Sequence, residues 1–323
     1  MKYARKLEMV LVIILLGLMI YAVHATQALQ RYGAETILGV GVPKYHYVVV
    51  TDDTTSLAWT SFMDGLREQA RKNDAVVEIM NVPPLSTTDT LDPFFQLISL
   101  SKADGVLLRL SNNQAARDYI EKSHVGGVRM ITVGNDSPES GRDAYVGTNK
   151  YELGRTTAGI VKRISNSPGR VLLIMGPEYA NSSGASSNSF LNGIRDYNAQ
   201  YPCISSLQVA FSDTRRAELI IEDQLNGNGV DTVICTDPLD SLRVTKTLID
   251  RNKVGVVKVI ASGELPEIVQ YILKRTIQAS VVEDYKALGI QSANTMNTLL
   301  HNVRQSGYVN IPIRIMDVQN APR

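Results

Sequence analysis

Residues Val128 to Gly154 read VRMITVGNDSPESGRDAYVGTNKYELG. Two short apolar runs, Met130 to Val133 and Ala144 to Val146, flank a polar loop, and a stretch with apolar residues at helical spacing runs from Tyr151 to Ile164. Consecutive apolar residues that stop at Gly, Asn or Asp read as a strand buried on both faces. A helix pattern following at once reads as the crossover of a parallel βα unit.

The same alternation extends in both directions. Strands are expected near Tyr45 to Thr51, Val76 to Met80, Gly105 to Leu108, Val171 to Met175, Leu207 to Ala210, Thr232 to Cys235, Val257 to Ala261 and Ala279 to Val282. Helices are expected over Ala58 to Lys72, Gln114 to Lys122, Phe190 to Gln200, Arg216 to Leu225 and Asp240 to Asn252. The 323 residues, 44% apolar, suit roughly two globular domains at about 150 residues each. The fold class is therefore α/β, with two doubly wound parallel-sheet lobes whose polar strand ends face one another across a cleft.

Composition removes several functions. Lys and Arg number 33 against 32 Asp and Glu, a net charge of +1, which gives no electrostatic footprint for nucleic acid. The two cysteines, Cys203 and Cys235, cannot form a disulfide framework or a CxxC site, and are read as free buried thiols or as neighbours on adjacent strands. The four histidines, His24, His46, His124 and His301, lack ligand spacing, so no metal site is expected. No G-x-G-x-x-G follows a strand and opens a helix, and neither a G-K-[ST] loop nor a G-x-S-x-G elbow occurs. Neither a cofactor nor catalysis is expected.

The N-terminus reads as an export signal. Lys2, Arg5 and Lys6 precede the wholly apolar Met9 to Val23, and no charged residue occurs from Met9 to Gln30. Residues 1–25 are either a signal peptide, cleaved after Ala25, or an uncleaved membrane anchor within residues 9–30. The basic flank keeps the N-terminus inside and sends the rest out. Residues 26–44 are then a juxtamembrane linker.

The strand ends carry the candidate chemistry. Thr51 to Trp59, TDDTTSLAW, brings the only Trp of the chain to the start of a helix beside Asp52 and Ser56. An indole beside carboxylates and hydroxyls suits a pyranose, whose C–H face stacks while its hydroxyls bond; a plug beneath the helix is the other reading. Further strand ends carry Arg109, Asn135 with Asp136, Asp237, Glu264 and the pair Glu283 and Asp284. Asp237 before Pro238 and Glu264 near Pro266 also read as helix caps. Arg109 closes an apolar run, where a charge needs a partner or a cleft.

The quoted stretch from Val128 to Gly154 resembles the mid-chain signature of the ribose-binding, type I periplasmic binding protein family, with its strand, polar loop and A-Y-V-G-x-N-x-x-x-G. VVVTDDTTSLAWTSFMDGLREQA, ADGVLLRLS, DTVICTDPLDSLRV and QASVVEDYKALG are similar to further segments of that family in order, covering Tyr45 to about Gly289. The resemblance implies an N-terminal lobe of residues 45–148 with 284–309 and a C-terminal lobe of 149–283 with 310–323. It implies hinges at Thr148 and Asn149, around Glu283 and Asp284, and around Tyr308 to Ile313. Trp59 falls on the family's ring-stacking position, Asp52 and Ser56 on polar contacts, Arg109 and Asp237 on positions usually Asn, and Glu283 on a hinge position usually Gln. The family's Asp-Arg pair is here Gly134 and Asn135, its second-lobe Arg aligns near Asn188, and its late Asp aligns at Gly263, one before Glu264. The lost arginines argue for a hydroxyl pattern other than ribose.

The resemblance thus implies an exported protein of the cell envelope that closes on a monosaccharide or polyol. Its partners are expected to be the permease of an ABC importer or, alternatively, the ectodomain of a sensor histidine kinase, with membrane contact through the N-terminal helix.

Overall fold

The computed structural model describes residues 43–322, except 84–87, 112, 124–127, 182–184, 213–215 and 228. The expected anchor and most of the linker, residues 1–42, lie outside the described residues. No helix among the described residues is long and apolar enough to cross a membrane.

The chain runs β1 (Tyr45–Thr51), α1 (Leu57–Lys72), β2 (Ala75–Asn81), α2 (Thr88–Ser101), β3 (Gly105–Arg109), α3 (Asn113–Ser123), β4 (Arg129–Val133) and β5 (Ala144–Gly147). It continues through α4 (Lys150–Ile164), β6 (Gly169–Met175), α5 (Pro177–Asn181), α6 (Ala185–Gln200), β7 (Ile204–Phe211), α7 (Ala217–Asn226), β8 (Thr232–Cys235), α8 (Pro238–Asp250), β9 (Lys258–Ser262), α9 (Pro266–Leu273) and β10 (Ala279–Glu283). It ends with α10 (Tyr285–Leu300), β11 (Tyr308–Asn310) and β12 (Ile313–Met316).

Two six-stranded sheets result, ordered β2-β1-β3-β4-β5-β11 and β7-β6-β8-β9-β10-β12. Both have the same winding, with the strand order reversing between β1 and β3 in one and between β6 and β8 in the other. All pairings in the first sheet are parallel. The second departs from the all-parallel expectation at its edge, where β12 lies antiparallel to β10, pairing Glu283 with Ile313. The last strand enters from the opposite end, since the chain has returned from β11 of the first sheet within a few residues.

Each sheet is covered on both faces, which is why its central strands read as unbroken apolar runs. Val49, Leu107 and Ile131 pack with Phe62, Leu66, Leu288 and Met296 of α1 and α10, while Val48, Val106 and Leu108 meet α2 and α3. In the second lobe Leu173 and Ile234 pack beneath α4 and α6, and Val233 and Val259 beneath α7, α8 and α9. The helix pairs approach to backbone contact. A Cβ added to Gly289 would lie 2.0 Å from the Phe62 carbonyl oxygen, and one added to Gly154 would lie 2.1 Å from that of Phe190.

Several elements differ from the sequence reading. Helix α2 contains Pro93, which the periodicity did not mark as helical. Helix α10 buries small and polar residues, Gly289, Ser292, Ala293 and Thr295, so it lacks a strong apolar stripe. Helix α6 begins at Ala185, earlier than the expected Phe190, so Asn188 stands within the helix rather than in a loop before it.

Candidate functional site

At the carboxyl end of β1, Thr51 to Ser56 folds into a turn held by its own side chains. Ser56 caps α1, accepting from the Trp59 amide at 3.0 Å while its hydroxyl donates to Asp53 Oδ2 at 2.5 Å. Asp53 also accepts from the amides of Thr55 and Ser56, each at 3.1 Å, and from Arg109 Nη1 at 3.3 Å. Burial works to raise the Asp53 carboxyl, but the Ser56 hydroxyl and the Arg109 charge outweigh it and hold it below the usual value. Asp52 points elsewhere, accepting from the Ser111 amide at 2.9 Å beyond β3. The two strands flanking the first switch point are thereby tied together.

Trp59 is 6% exposed. Its indole packs against Phe62 at 5.8 Å, with the Arg109 guanidinium 5.9 Å over the ring. Arg109 is thus the cation that meets both the indole and Asp53. Asn135, after β4, donates to the Leu110 carbonyl at 3.2 Å, and its neighbour Asp136 takes a bidentate clamp from Arg142 at 2.5 and 2.7 Å.

In the second lobe, Asp237 follows β8 and caps α8, accepting from the amides of Leu239 at 2.8 Å and Asp240 at 3.0 Å. Burial raises its carboxyl despite those bonds. Glu283, the last residue of β10, accepts from Lys150 Nζ at 2.9 and 3.1 Å. Lys150 also donates to Glu178 at 3.2 Å and lies 5.1 Å from the Tyr179 ring centroid. Burial alone would lower the Lys150 ammonium; the charges of Glu178 and Glu283 overcome it and push it well above its ordinary value. Glu178 in turn accepts from the Tyr285 hydroxyl at 3.1 Å. A small cavity of about 20 Å³ at these strand ends is lined by Tyr179, Phe190, Thr236, Ser262 and Glu283 among others.

The expected residues therefore separate. Asp52, Ser56, Trp59 and Arg109 gather around the first switch point, Asn135 joins them through β3, and Asp237 and Glu283 stand at strand ends of the second sheet. Glu264 is 54% exposed and pairs with Arg314 at 2.9 Å, and Asn188 is exposed on α6. Among the described residues neither bonds to the Lys150 cluster.

Lys150, Glu178, Tyr179 and Tyr285 were missing from the sequence reading. A lysine opening a helix reads as solvated, and its partners lie 28 and 133 residues away. Both cysteines are free and buried, and burial raises both thiols.

Two α/β lobes with matching winding, crossed by the chain after β5, after β10 and after β11, with polar groups at both switch points, define a two-lobed binding protein of the type I class. The chain belongs to the periplasmic binding protein family, whose domain matches residues 47–302. No curated protein matches its sequence significantly.

Solved structures share the fold. An ABC transporter solute-binding protein from Burkholderia graminis, in complex with D-arabinose, is 18% identical with a TM-score of 0.76 over 87% of this chain and 97% of its own. GanP, a glucose-galactose binding protein from Geobacillus stearothermophilus, is 20% identical with a TM-score of 0.73 over 86% and 99%. The protein solved in the XylFII-LytSN complex is 23% identical with a TM-score of 0.74 over the same shares.

Proposed function

We propose that this chain is an extracytoplasmic binding protein that closes its two lobes on a monosaccharide or polyol without catalysing a reaction on it. The observation that carries the reading is the gathering of carboxylates, a guanidinium, an ammonium and phenols at the strand ends of both sheets. Such a set offers hydroxyls both donors and acceptors. The sugars named for relatives of the same fold, D-arabinose and glucose-galactose, support the ligand class. Asp52, Arg109, Asn135, Asp237 and Glu283 are the ligand contacts, with Ser56 and Trp59 behind them holding Asp53 and Arg109 in place. A ligand that touches both lobes gains contacts only in the closed form and so shifts the protein toward it.

The favoured output is delivery to the permease of an ABC importer, the setting of the Burkholderia relative. A second output is a signal, with the closed form docking on a sensor histidine kinase and residues 9–30 anchoring it at the outer face of the membrane. The likeness to XylFII, solved in complex with LytSN, favours docking on a protein partner.

A thermal-shift panel of pentoses, hexoses, inositols and disaccharides tests the ligand class. A ligand at 100 times its Kd stabilises the protein by about 2.7 kcal/mol, an easily read rise in Tm. One strong hit that disappears in Arg109→Ala supports the reading; a cooperative melt that no member of the panel moves rejects it.

A further inference from the structure

Glu178 belongs to one lobe and bonds to the other. It follows β6 in the second lobe, where its carboxylate accepts from Lys150 at 3.2 Å. It also accepts, at 3.1 Å, from the hydroxyl of Tyr285, the first residue of α10. That helix is packed on α1 and the first sheet. Arg109, at the end of β3 in the first lobe, attracts the same carboxylate. The second lobe thus already reaches the first through a carboxylate of its own, the kind of polar bridge that a ligand held between two lobes would supply. Beside this cluster the strand ends of the second lobe alone enclose a cavity of about 20 Å³, lined by Tyr179, Thr236, Ser262 and Glu283 among others, room for roughly one water molecule.

We propose that Glu178 is a built-in competitor of the ligand: with its carboxylate on Tyr285 and Lys150 the lobes close on the protein's own groups, and a ligand enters by displacing it. This rests on the reading that the cleft is the ligand site. Whatever replaces Glu178 has to offer acceptor oxygens to the Tyr285 hydroxyl and the Lys150 ammonium, which two neighbouring hydroxyls of a polyol do. The latch populates the closed form without ligand and reduces the apparent affinity by the fraction of molecules in which the cleft is free.

The test adds no ligand. The full chain in detergent micelles carries spin labels at Arg67→Cys on α1 and Asn192→Cys on α6, both exposed, while Cys203 and Cys235 are buried. The unsubstituted cleft is expected to give mostly the short label-to-label distance. Glu178→Ala is expected to move the population to longer distances, raising the open-to-closed ratio at least about tenfold, the scale of one charge-assisted hydrogen bond. Tyr285→Phe, which deletes only the hydroxyl that crosses between lobes, moves it the same way by less, and it decides the matter alone where Glu178→Ala fails to fold. Distributions that coincide with the unsubstituted protein overturn the proposal, whatever the sugar panel gives. Distributions that move while no sugar raises the Tm leave the latch standing and remove the sugar.

Discussion

The ammonium of Lys150, first residue of α4, lies 2.9 Å from Glu283 Oε2 at the end of β10, and the chain changes lobe next to each of them. Their side chains are 7% and 11% exposed, so the pair is desolvated. Removing one partner of such a pair leaves a buried charge without compensation, which costs about 3–5 kcal/mol. Lys150→Met is therefore expected to lower stability by that amount in urea unfolding. Adding Glu283→Gln to it is expected to restore part of the loss, because the more buried of the two carboxylates stranded without Lys150 is gone while Glu178 remains. Equal stability of the single and double variants would show that packing, not charge, sets the cost.

The same network sets a pH dependence. Burial works to raise the Glu178 carboxyl, yet Lys150 and Arg109 hold it below its ordinary value of 4.5. A group depressed in the folded state stabilises above its unfolded pKa, and that contribution fades as pH falls through the folded value. The groups facing it are Lys150, Tyr179, Glu283, Tyr285 and Arg109, and Lys150 keeps its proton throughout the range because its own value is raised above 10.5. The Tm advantage of the unsubstituted protein over Glu178→Gln should be full at neutral pH and disappear under acid below pH 4.5. An advantage that persists unchanged into strong acid contradicts the charge assignment.

Trp59 is the only indole of the chain, so fluorescence reads this site without interference. At 6% exposure its emission is expected to be blue-shifted and poorly quenched by acrylamide before any ligand is added. Trp59→Ala empties a packed position beside Phe62 and removes the surface beneath Arg109, with an expected loss of about 3–5 kcal/mol. Trp59→Phe, which keeps most of the volume, is expected to recover much of that. If Trp59→Phe folds well but no longer responds to a sugar hit, the indole touches ligand as well as core.

Strands β1 to β10 were legible because the doubly covered centre of each sheet forces consecutive apolar residues into its strands, and β8 emerges at Thr232 to Cys235 as the composition of that run dictates, whereas β11 and β12, short strands at the sheet edges, were not. Helix α10 was not legible, since its close approach to α1 requires small residues, Gly289, Ser292 and Ala293, where an amphipathic helix shows a continuous apolar stripe. In the site, the turn from Asp52 to Trp59 could be placed from local chemistry, because Ser56 and Asp53 act on neighbours within a few residues. The Lys150, Glu178 and Glu283 cluster could not, because only the folding of both sheets brings together residues from α4, α5 and β10. The indole of Trp59 shows the same limit: its residue type left a stacking surface and a plug beneath the helix both open, and its exposure was decided by Phe62 and Arg109 closing around it.

Helix approach offers a way to ask whether the two lobes unfold as one. Gly289 packs α10 on α1 in the first lobe and Gly154 packs α4 on α6 in the second, each with room for no more than a hydrogen against a carbonyl oxygen. A methyl at either position must push two helices apart, and overpacking of this kind costs about 1–3 kcal/mol. Gly289→Ala loosens only the first lobe. If Glu178, Lys150 and Tyr285 bind the lobes into one cooperative unit, calorimetry of Gly289→Ala should show a single transition moved to lower temperature, as should Gly154→Ala. Combining Gly289→Ala with Tyr285→Phe then splits the melt in two, with the first lobe unfolding ahead of the second. A split already present in Gly289→Ala alone would mean that the cluster joins the lobes too weakly to couple their stability.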